Sequence, residues 1–471
     1  MNRVNPTPAL VAQRAVQRLP RAALVLFCAA YVLPGIFGRD PWRNADQAAF
    51  GYMLAMAEGR TPWWAPTVGS VPIENALLPH WLGAATIAAL SPWVDAPLAA
   101  RLPFGFLLAM VLVLTWYAAF QLARTEAAQP VPFAFGGEAD VVGYSRAIAD
   151  GALLALIATL GLLQLGHETT PELVQLFAAA LALWSLAAAP YRRWRARGSM
   201  LLALPLLAAS GAPTIAVSFG AIGSLIAWRS QYEQGRAFGP FIAAATLEAA
   251  LLAWLLGTWA WRIGFVPTGT QALQLSRLVL WFLWPAWLLA LWTLWRWRGH
   301  LARRHLSVPL ALAAVSLAAC VAGGANDRAL MIGLPAFAAL AAFALPTLKR
   351  SASAAIDWFS VFAFSLSALA IWVIYAAMIT GTPAKPAANV AKLAPGFEAQ
   401  FAVVPFLFAV AATLAWVAET PGTSPRSGVL GPITASHIDS EPDTPSPWSV
   451  QSRGVWPRPW SVVRIRVVRP R

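Results

Sequence analysis

Acidic and basic side chains stand together in a few short polar stretches of an otherwise apolar chain. The acidic candidates are Asp46, Glu74 and Glu168, and the basic candidates are Arg39, Arg43, Arg60 and Arg262. A carboxylate can take a proton from a hydroxyl or amine, and arginine pairs with phosphate oxygens, often through two hydrogen bonds. The combination predicts a reaction on a phosphate-linked substrate, with the carboxylates as catalytic residues and the arginines at the donor phosphate.

The same stretches contain aromatic and imidazole side chains that could contact a sugar or an acceptor. They are Trp63, Trp64, His80 and His167. The tryptophans could instead form part of the aromatic belt that lies at the membrane surface. Arg39, Arg43 and Arg60 could equally be solvated loop charges. Both interpretations remain open at the level of sequence.

Asp46 also has a structural alternative. Residues 45–57 have the pattern of a short helix lying at the membrane interface, and Asp46 stands at or near its start. A carboxylate there favourably caps a helix. Capping alone would therefore explain an aspartate at this position.

A metal site is weakly indicated. His167 and Glu168 could bind a divalent ion together with Glu74 or His80, but their spacing matches no recognised metal motif. No metal ligand is assigned, no cofactor is certain, and a divalent metal remains possible. Cys28 and Cys320 lie inside apolar segments and indicate neither a disulfide nor a metal site.

The elements that position these residues are membrane helices. Apolar residues make up 59% of the chain and charged residues 11%, against about 25% charged in soluble domains. A spanning helix needs roughly 20 mostly apolar residues. Candidate segments are 21–38, 99–122, 147–165, 171–189, 199–227 (split near 211–213), 239–260, 277–295, 307–323, 328–347, 355–379 and 399–418. The fold class is therefore an all-α polytopic membrane protein.

The net charge of +14 does not indicate nucleic-acid binding, because the arginines cluster in short loops. The clusters lie at 3–21, 192–197, 296–304 and 349–350. Cytoplasmic loops are enriched in Lys and Arg, so these loops are expected to face the cytoplasm. This orientation requires the apolar stretch 77–91 to lie in the interface rather than to span. About twelve spans result, with both termini in the cytoplasm.

Three regions follow from this organisation. Residues 1–20 form a cytoplasmic N-terminal segment, and 21–418 form the membrane domain, in which 39–98 is an outer loop with interfacial helices. Residues 419–471 are rich in Pro, Ser and Arg and are expected to be a disordered cytoplasmic tail.

The order of these features resembles the GT-C class of integral membrane glycosyltransferases. The bacterial lipid A 4-amino-4-deoxy-L-arabinose transferases and the dolichyl-phosphate-mannose protein mannosyltransferases are the most similar members. The matching stretches are "PWRNADQAAFGYMLAMAEG" with Asp46, "GSVPIENALLPHWLGA" with Glu74, "AARLP" at 99–103 and "HETTPELVQLF" with Glu168. In that family, an aspartate directly after the first span supplies the catalytic carboxylate.

The chain departs from the family pattern at several positions. Gln47 stands at the second acidic position of the first motif, Asn75 at the usual lysine, and Thr169 or Thr170 at the aspartate of the second loop. The resemblance implies an enzyme of the bacterial inner membrane. It would move a sugar from a polyprenyl-phosphate donor to a lipid (lipid A-like) or protein acceptor on the periplasmic face. Its partners would be these substrates and membrane lipids, without nucleic acid.

Two alternatives remain beside the enzyme. The departures are compatible with a non-catalytic or truncated GT-C paralogue that binds polyprenyl lipid or a partner transferase. A transporter is less favoured, because no paired Gly/Pro-interrupted halves accompany the single break at 211–213. Glu248 would be central to that hypothesis, since it stands near the middle of an apolar span. It indicates either proton movement or a hydrogen bond to another helix.

Overall fold

The computed structural model describes residues 7–13, 16, 20–37, 40–41, 43–73, 76–259, 268–393, 396 and 399–419. Three site residues expected from the sequence, Arg39, Glu74 and Arg262, lie outside the described residues, as does the tail from residue 420 onward.

The described chain is helical apart from one short hairpin. The helices before the middle of the chain are α1 (Arg21–Ile36), α2 (Asn44–Ala57), α3 (Leu77–Leu90), α4 (Ala96–Ala123), α5 (Val141–Ile157), α6 (Leu160–Leu165), α7 (Pro171–Ala188), α8 (Arg193–Ala209) and α9 (Pro213–Trp228). They are followed by α10 (Glu233–Arg236), α11 (Gly239–Leu255), α12 (Gly269–Phe282), α13 (Ala286–Arg296), α14 (Arg304–Ala322), α15 (Asp327–Met331), α16 (Leu334–Ala342), α17 (Arg350–Thr380), α18 (Ala384–Leu393) and α19 (Val403–Glu419). Strands β1 (Thr67–Val68) and β2 (Val71–Pro72) pair antiparallel between α2 and α3.

Several helices are long and apolar enough to cross a membrane. Five stretches of the described chain meet this criterion: Ala96–Ala123, Pro171–Ala188, Glu233–Leu255, Arg304–Ala322 and Ala354–Thr380. The helices α12 and α13 would add a sixth span if they act as one. Shorter apolar helices occupy other expected positions, including α1, α9 and α19. The chain is thus a multi-pass all-α membrane protein, and the number of twelve spans stays a prediction.

Some expected spans are interrupted. The break near 211–213 is confirmed, because Gly211 adopts a φ of 95° and Pro213 begins α9. The segment 147–165 is divided between α5 and α6. The expectation of one spanning helix over 277–295 is wrong, because α12 and α13 meet at 94°. The bend falls at Pro285, which removes a backbone donor from the helix.

The core forms around α7, which packs against α4 and α8. Its buried face is rich in small residues, among them Ala178, Ala179 and Ala180. Small side chains let helix backbones approach closely, which is how membrane helices gain van der Waals contact. A second layer adds α5 and α16 on one side of α4 and α7, and α9 and α11 against α8.

The helices α2 and α3 form a hairpin that packs on α4 and reaches α7. The close approach of the two helices requires Gly83, because a Cβ atom there would overlap the side chain of Met53. The hydroxyl of Tyr52 donates to the carbonyl of Val71 at 3.3 Å and so ties the β1–β2 loop to α2. The packing of the α2–α3 helical hairpin sets the orientation of the first turn of α2, which carries Asp46.

Candidate active site

Asp46 is fully buried and is bound by the loop between α6 and α7. Its Oδ1 atom accepts two hydrogen bonds from Thr169, one from the backbone N–H at 2.8 Å and one from the hydroxyl at 2.7 Å. Its Oδ2 atom is buried and accepts no hydrogen bond from the described residues. Asp46 lies in the first turn of α2, but it makes no capping bond to that helix. A capping hydrogen bond therefore does not account for this aspartate, although its charge lies where it favours the helix dipole of α2.

The short loop between α6 and α7 is bounded by a residue that ends a helix and a residue that begins one. Gly166 ends α6, and Pro171 occupies the first position of α7, where its missing N–H costs nothing. Residues 167–170 between them turn back toward α2. This geometry aims the backbone N–H of Thr169 at Asp46.

Glu168 is the second buried carboxylate of the site. Its Oε2 atom accepts a hydrogen bond from Nη2 of Arg328 at 2.8 Å. Burial raises the pKa of the Glu168 carboxyl above its ordinary value, and the charge of Asp46 acts in the same direction. The guanidinium groups of Arg328 and Arg43 oppose this rise, so Glu168 depends on them to remain ionised.

Arg328 joins three acceptors from the α6–α7 region. Besides Glu168, its Nη1 atom donates to Oε2 of Glu172 at 2.9 Å and to the hydroxyl of Thr170 at 3.2 Å. Arg328 lies in the first turn of α15. A residue from the C-terminal half of the chain thus completes a cluster that begins with Asp46.

Arg43 lies at the open side of the cluster. It precedes α2, its Nη1 atom stands 3.7 Å from Oε1 of Glu168, and its side chain is 37% exposed. A guanidinium that is partly exposed beside two buried carboxylates can still bind an anion from solvent. Of the arginines expected to bind the donor phosphate, Arg43 is the one that the described part of the structure places at the site.

His80 and His167 flank the cluster on different sides. His80 is buried, its Nδ1 atom lies 2.5 Å from the Ala76 carbonyl, and its ring meets Tyr52 edge to face. Burial lowers the pKa of His80, while the hydrogen bond to Ala76 and the charge of Glu172 oppose the shift. The Nε2 atom of His167 lies 2.9 Å from the Tyr31 carbonyl. His167 lines a small cleft with Thr169 and the buried Arg101.

Three sequence candidates lie away from Asp46. Arg60 pairs with Glu58 at 2.5 Å beyond the far end of α2, and both side chains are about half exposed. The end of α2 lies on the order of 15 Å from Asp46 along the helix axis, at 1.5 Å per residue. The carbonyl of Trp63 accepts a hydrogen bond from the Trp81 indole at 2.6 Å, and Trp64 is 78% exposed. The structure does not bring Arg60, Trp63 or Trp64 to the carboxylates.

The described residues of the site include no cluster of metal ligands, and Glu74, one of the ligands considered from the sequence, lies outside them. The described chain contains no group of three or more His, Cys, Asp or Glu side chains that could hold an ion. Asp46 and Glu168 supply two carboxylates, but one oxygen of each is already bonded to Thr169 or Arg328.

Two residues of the cluster carry weak sequence signals. Arg328 could be recognised only as a basic residue at the start of the apolar segment 328–347. Thr169 or Thr170 stands where the resemblance leads one to expect an acidic residue, so the sequence marks this pair as a departure rather than as a source of partners for Asp46. Neither contact could be deduced from spacing, because 123 positions separate Asp46 from Thr169 and 160 separate Glu168 from Arg328.

The fold is that of the GT-C integral membrane glycosyltransferases, as the sequence resemblance predicted. The similar solved structures are of ArnT from Cupriavidus metallidurans. The form bound to undecaprenyl phosphate aligns with a TM-score of 0.52 and 12% identity over 77% of this chain and 66% of that chain. The apo form aligns with a TM-score of 0.51 and 13% identity over 77% and 65%. The chain spans about two thirds of the length of these proteins.

At this identity the likeness shows the fold alone. No family model matches the sequence, and a search of the curated proteins finds no match. The assignment of chemistry therefore rests on the contacts of the site.

Proposed function

We propose that this protein is a glycosyltransferase of the bacterial inner membrane. It transfers a sugar from a polyprenyl-phosphate donor to a lipid (lipid A-like) or protein acceptor on the periplasmic face. The observation that carries the proposal is the Asp46 carboxylate, with one oxygen held by Thr169 and the other without a hydrogen bond from the described residues. ArnT, which shares the fold, was solved with undecaprenyl phosphate, and that supports the choice of donor class.

The proposed reaction is a direct displacement. The acceptor oxygen or nitrogen attacks the anomeric carbon, its proton passes to Oδ2 of Asp46, and the bond from the sugar carbon to the lipid phosphate oxygen breaks. The sugar carbon is inverted, and the phosphate leaves with the electron pair of that bond. Arg43 stabilises the charge that develops on the phosphate. Because Asp46 is fully buried in this structure, the hairpin of α2 and α3 must shift to admit the acceptor.

The arrangement of the N-terminal segment supports the proposed orientation. The N–H of Gln13 donates to the Gly137 carbonyl at 2.8 Å, and the N–H of Ala139 donates to the Val11 carbonyl at 3.0 Å. Segments in direct contact lie on one side of a membrane, so an even number of spans separates them. The helices α1 and α4 already account for two, which favours α3 as an interfacial helix. In this proposal 39–98 is periplasmic, 21–418 is the transferase domain, and 1–20 and 419–471 are cytoplasmic.

Cysteine labelling tests this orientation. Ser70→Cys and Ser91→Cys should both react with a membrane-impermeant thiol reagent added outside intact cells, because both positions are exposed on the proposed outer loop. Gln231→Cys, in an arginine-bounded loop, should react only after permeabilisation. The unsubstituted protein, with Cys28 and Cys320, sets the background. If Ser91→Cys reacts only in permeabilised cells, α3 spans the membrane and the orientation of later loops is reversed.

A transfer assay tests the function itself. Membranes containing the protein should transfer radiolabelled sugar from a polyprenyl-phosphate donor to endogenous lipid or protein. Membranes without the protein should not. A panel of donors that differ in the sugar would identify which one is used. If no donor in the panel supports transfer while the purified protein binds undecaprenyl phosphate, the glycosyltransferase proposal fails.

The donor phosphate is expected to depend on Arg43 rather than Arg60. Arg43→Gln should raise the apparent KM for the donor about tenfold or more. The reason is that a hydrogen bond to a charged group, such as that of arginine with phosphate, contributes about 1.5–3 kcal/mol. Arg60→Gln is the matched control, since the Arg60 side chain lies at an exposed pair with Glu58. Equal effects of the two substitutions would place the phosphate site elsewhere.

Thr169 is proposed as a positioning residue for Asp46. Its hydroxyl and N–H together fix Oδ1, which leaves Oδ2 directed to the acceptor. Thr169→Val removes the hydroxyl but keeps the N–H, and should lower kcat about 10- to 100-fold with little change in donor KM. Thr169→Ser keeps the hydroxyl and should retain most activity. A Thr169→Val enzyme with wild-type kcat would show that this bond only stabilises the fold.

One observation favours the non-catalytic relative as a second candidate. Both carboxylates are fully buried, and Glu168 is engaged by Arg328. A protein that binds polyprenyl lipid without transferring sugar would need no reactive carboxylate. Binding of undecaprenyl phosphate without transfer from any donor would support this candidate.

A further inference from the structure

Glu248 faces away from the rest of the protein in the middle of a membrane helix. It belongs to α11, nine positions after Gly239, so it lies roughly 14 Å along the helix axis. A hydrocarbon core of about 30 Å puts this carboxyl near the bilayer midplane. The side chain is exposed, whereas its neighbour Ala249 is buried in the core. The expected hydrogen bond to another helix of this chain is not found among the described residues.

An exposed carboxyl at this depth is costly. An ionised acidic residue at the centre of a spanning helix costs at least about 2.5 kcal/mol, and a neutral carboxyl in lipid still lacks a partner for its donor and acceptor. The Glu248 side chain is too short to reach either membrane–water interface. The position therefore calls for a polar group at the same depth that the described residues of this chain do not supply.

We infer that the outer face of α11 is a homodimer interface in which the Glu248 side chains of two copies hydrogen-bond to each other. Two copies inserted in the same orientation have Glu248 at the same depth without any further adjustment. A two-fold axis along the membrane normal then brings the two carboxyls together, because in such a dimer the same surface of each copy faces the other. A carboxyl that carries its proton donates to the other, so each satisfies the other.

The surroundings of Glu248 fit a helix–helix contact. Leu247 is 72% exposed and Leu251 is 57% exposed, and the two lie next to each other on the helix surface beside the carboxyl. Ala244 lies one turn earlier on the same face and is also exposed. A small residue one turn from the polar group lets the partner helix approach closely enough for the hydrogen bond. This inference does not depend on the proposed function.

Disulfide crosslinking in native membranes tests the interface. Leu247→Cys and Leu251→Cys are oxidised separately, and covalent dimers are measured on non-reducing gels. We expect dimers of twice the chain mass for at least one of them. Val113→Cys on α4 is the matched control, because Val113 is 42% exposed near the middle of a span on a different helix. The unsubstituted protein, with Cys28 and Cys320, sets the background.

The role of the carboxyl is tested by substitution at the same position. Glu248→Gln keeps a donor and an acceptor and should retain the dimer, whereas Glu248→Leu should lower the dimerisation constant roughly 3- to 30-fold. The dimer fraction is measured by single-molecule photobleaching in lipid bilayers, which also shows that each variant is inserted. A Glu248→Leu protein that dimerises like the wild type overturns the inference. So do crosslinks no stronger than those of Val113→Cys, or crosslinked products of another mass.

Discussion

Asp46→Asn is expected to lower sugar transfer by about 10²–10⁴-fold, the usual contribution of a general base. The substitution should leave the protein folded and inserted. The Asn side-chain oxygen can still accept both hydrogen bonds from Thr169. What the amide cannot do is take the proton of the acceptor at the position of Oδ2. The measurement is the initial rate of transfer with membranes that contain equal amounts of either protein.

A matched substitution separates catalysis from structure. Asp140 caps α5 through a hydrogen bond from the N–H of Gly143 at 2.8 Å. Asn caps helices about as well as Asp, so Asp140→Asn should leave the transfer rate unchanged. If Asp46→Asn is also fully active, Asp46 is not the base, and the non-catalytic relative becomes the better hypothesis should wild-type transfer prove absent too.

Arg328→Gln is expected to be the most destabilising of the substitutions considered. It leaves the carboxylate of Glu168 buried without its closest cation, and removal of one partner from a buried ion pair costs about 3–5 kcal/mol. Because Arg43 remains 3.7 Å away, the loss should fall toward the lower end of that range. It should appear as a lower thermal unfolding temperature in detergent or nanodiscs. Arg60→Gln breaks an exposed pair and should cost less than about 1 kcal/mol.

The loss of folding stability in the Arg328→Gln protein should depend on pH. Burial already raises the pKa of Glu168 above its ordinary value of 4.5, and removal of Arg328 raises the pKa further. A carboxyl whose pKa is raised in the folded state contributes stability below its unfolded pKa and loses that contribution as pH rises through the folded pKa. The variant should therefore be closest to wild type at low pH. The double variant Arg328→Gln with Glu168→Gln should lose this pH dependence. If its stability depends on pH in the same way as that of Arg328→Gln alone, Glu168 is not the cause.

The sequence predicted the fold class because apolar length is a strong signal in membrane proteins, whereas the orientation inferred from the arginines stays a prediction. The all-α polytopic class and the GT-C resemblance are confirmed, and helices occupy the positions of the expected spans. The bend between α12 and α13 was missed, because hydropathy reports the apolar length of a segment and not its direction. Pro285 was the available signal, but prolines also occur within continuous helices of this protein, such as α4 and α14.

The site was predictable in part. Asp46 and Glu168 could be chosen from their residue types and loop positions, and the structure brings them into one cluster. The hydrogen bonds from Thr169 and the ion pair with Arg328 depend on how distant loops meet, which periodicity does not encode. The distance of Arg60, Trp63 and Trp64 from Asp46 has the same origin. In the sequence these residues belong to one polar loop, but in the structure α2 lies between Asp46 at its start and Arg60, Trp63 and Trp64 beyond its end.

The long-range ion pair between Glu168 and Arg328 bears on how the protein is made. Ribosomes synthesise the chain from its N-terminus, so the loop with Glu168 is made well before α15 is translated. Until Arg328 arrives, the nearest counter-ion of Glu168 is Arg43, which stands 3.7 Å away and is partly exposed, so Glu168 is more stable in water than inside the bundle. The closing of α2 over this loop would then await the later helices. A nascent chain arrested before Asp327 should accordingly be more sensitive to protease between α1 and α4 than the completed protein.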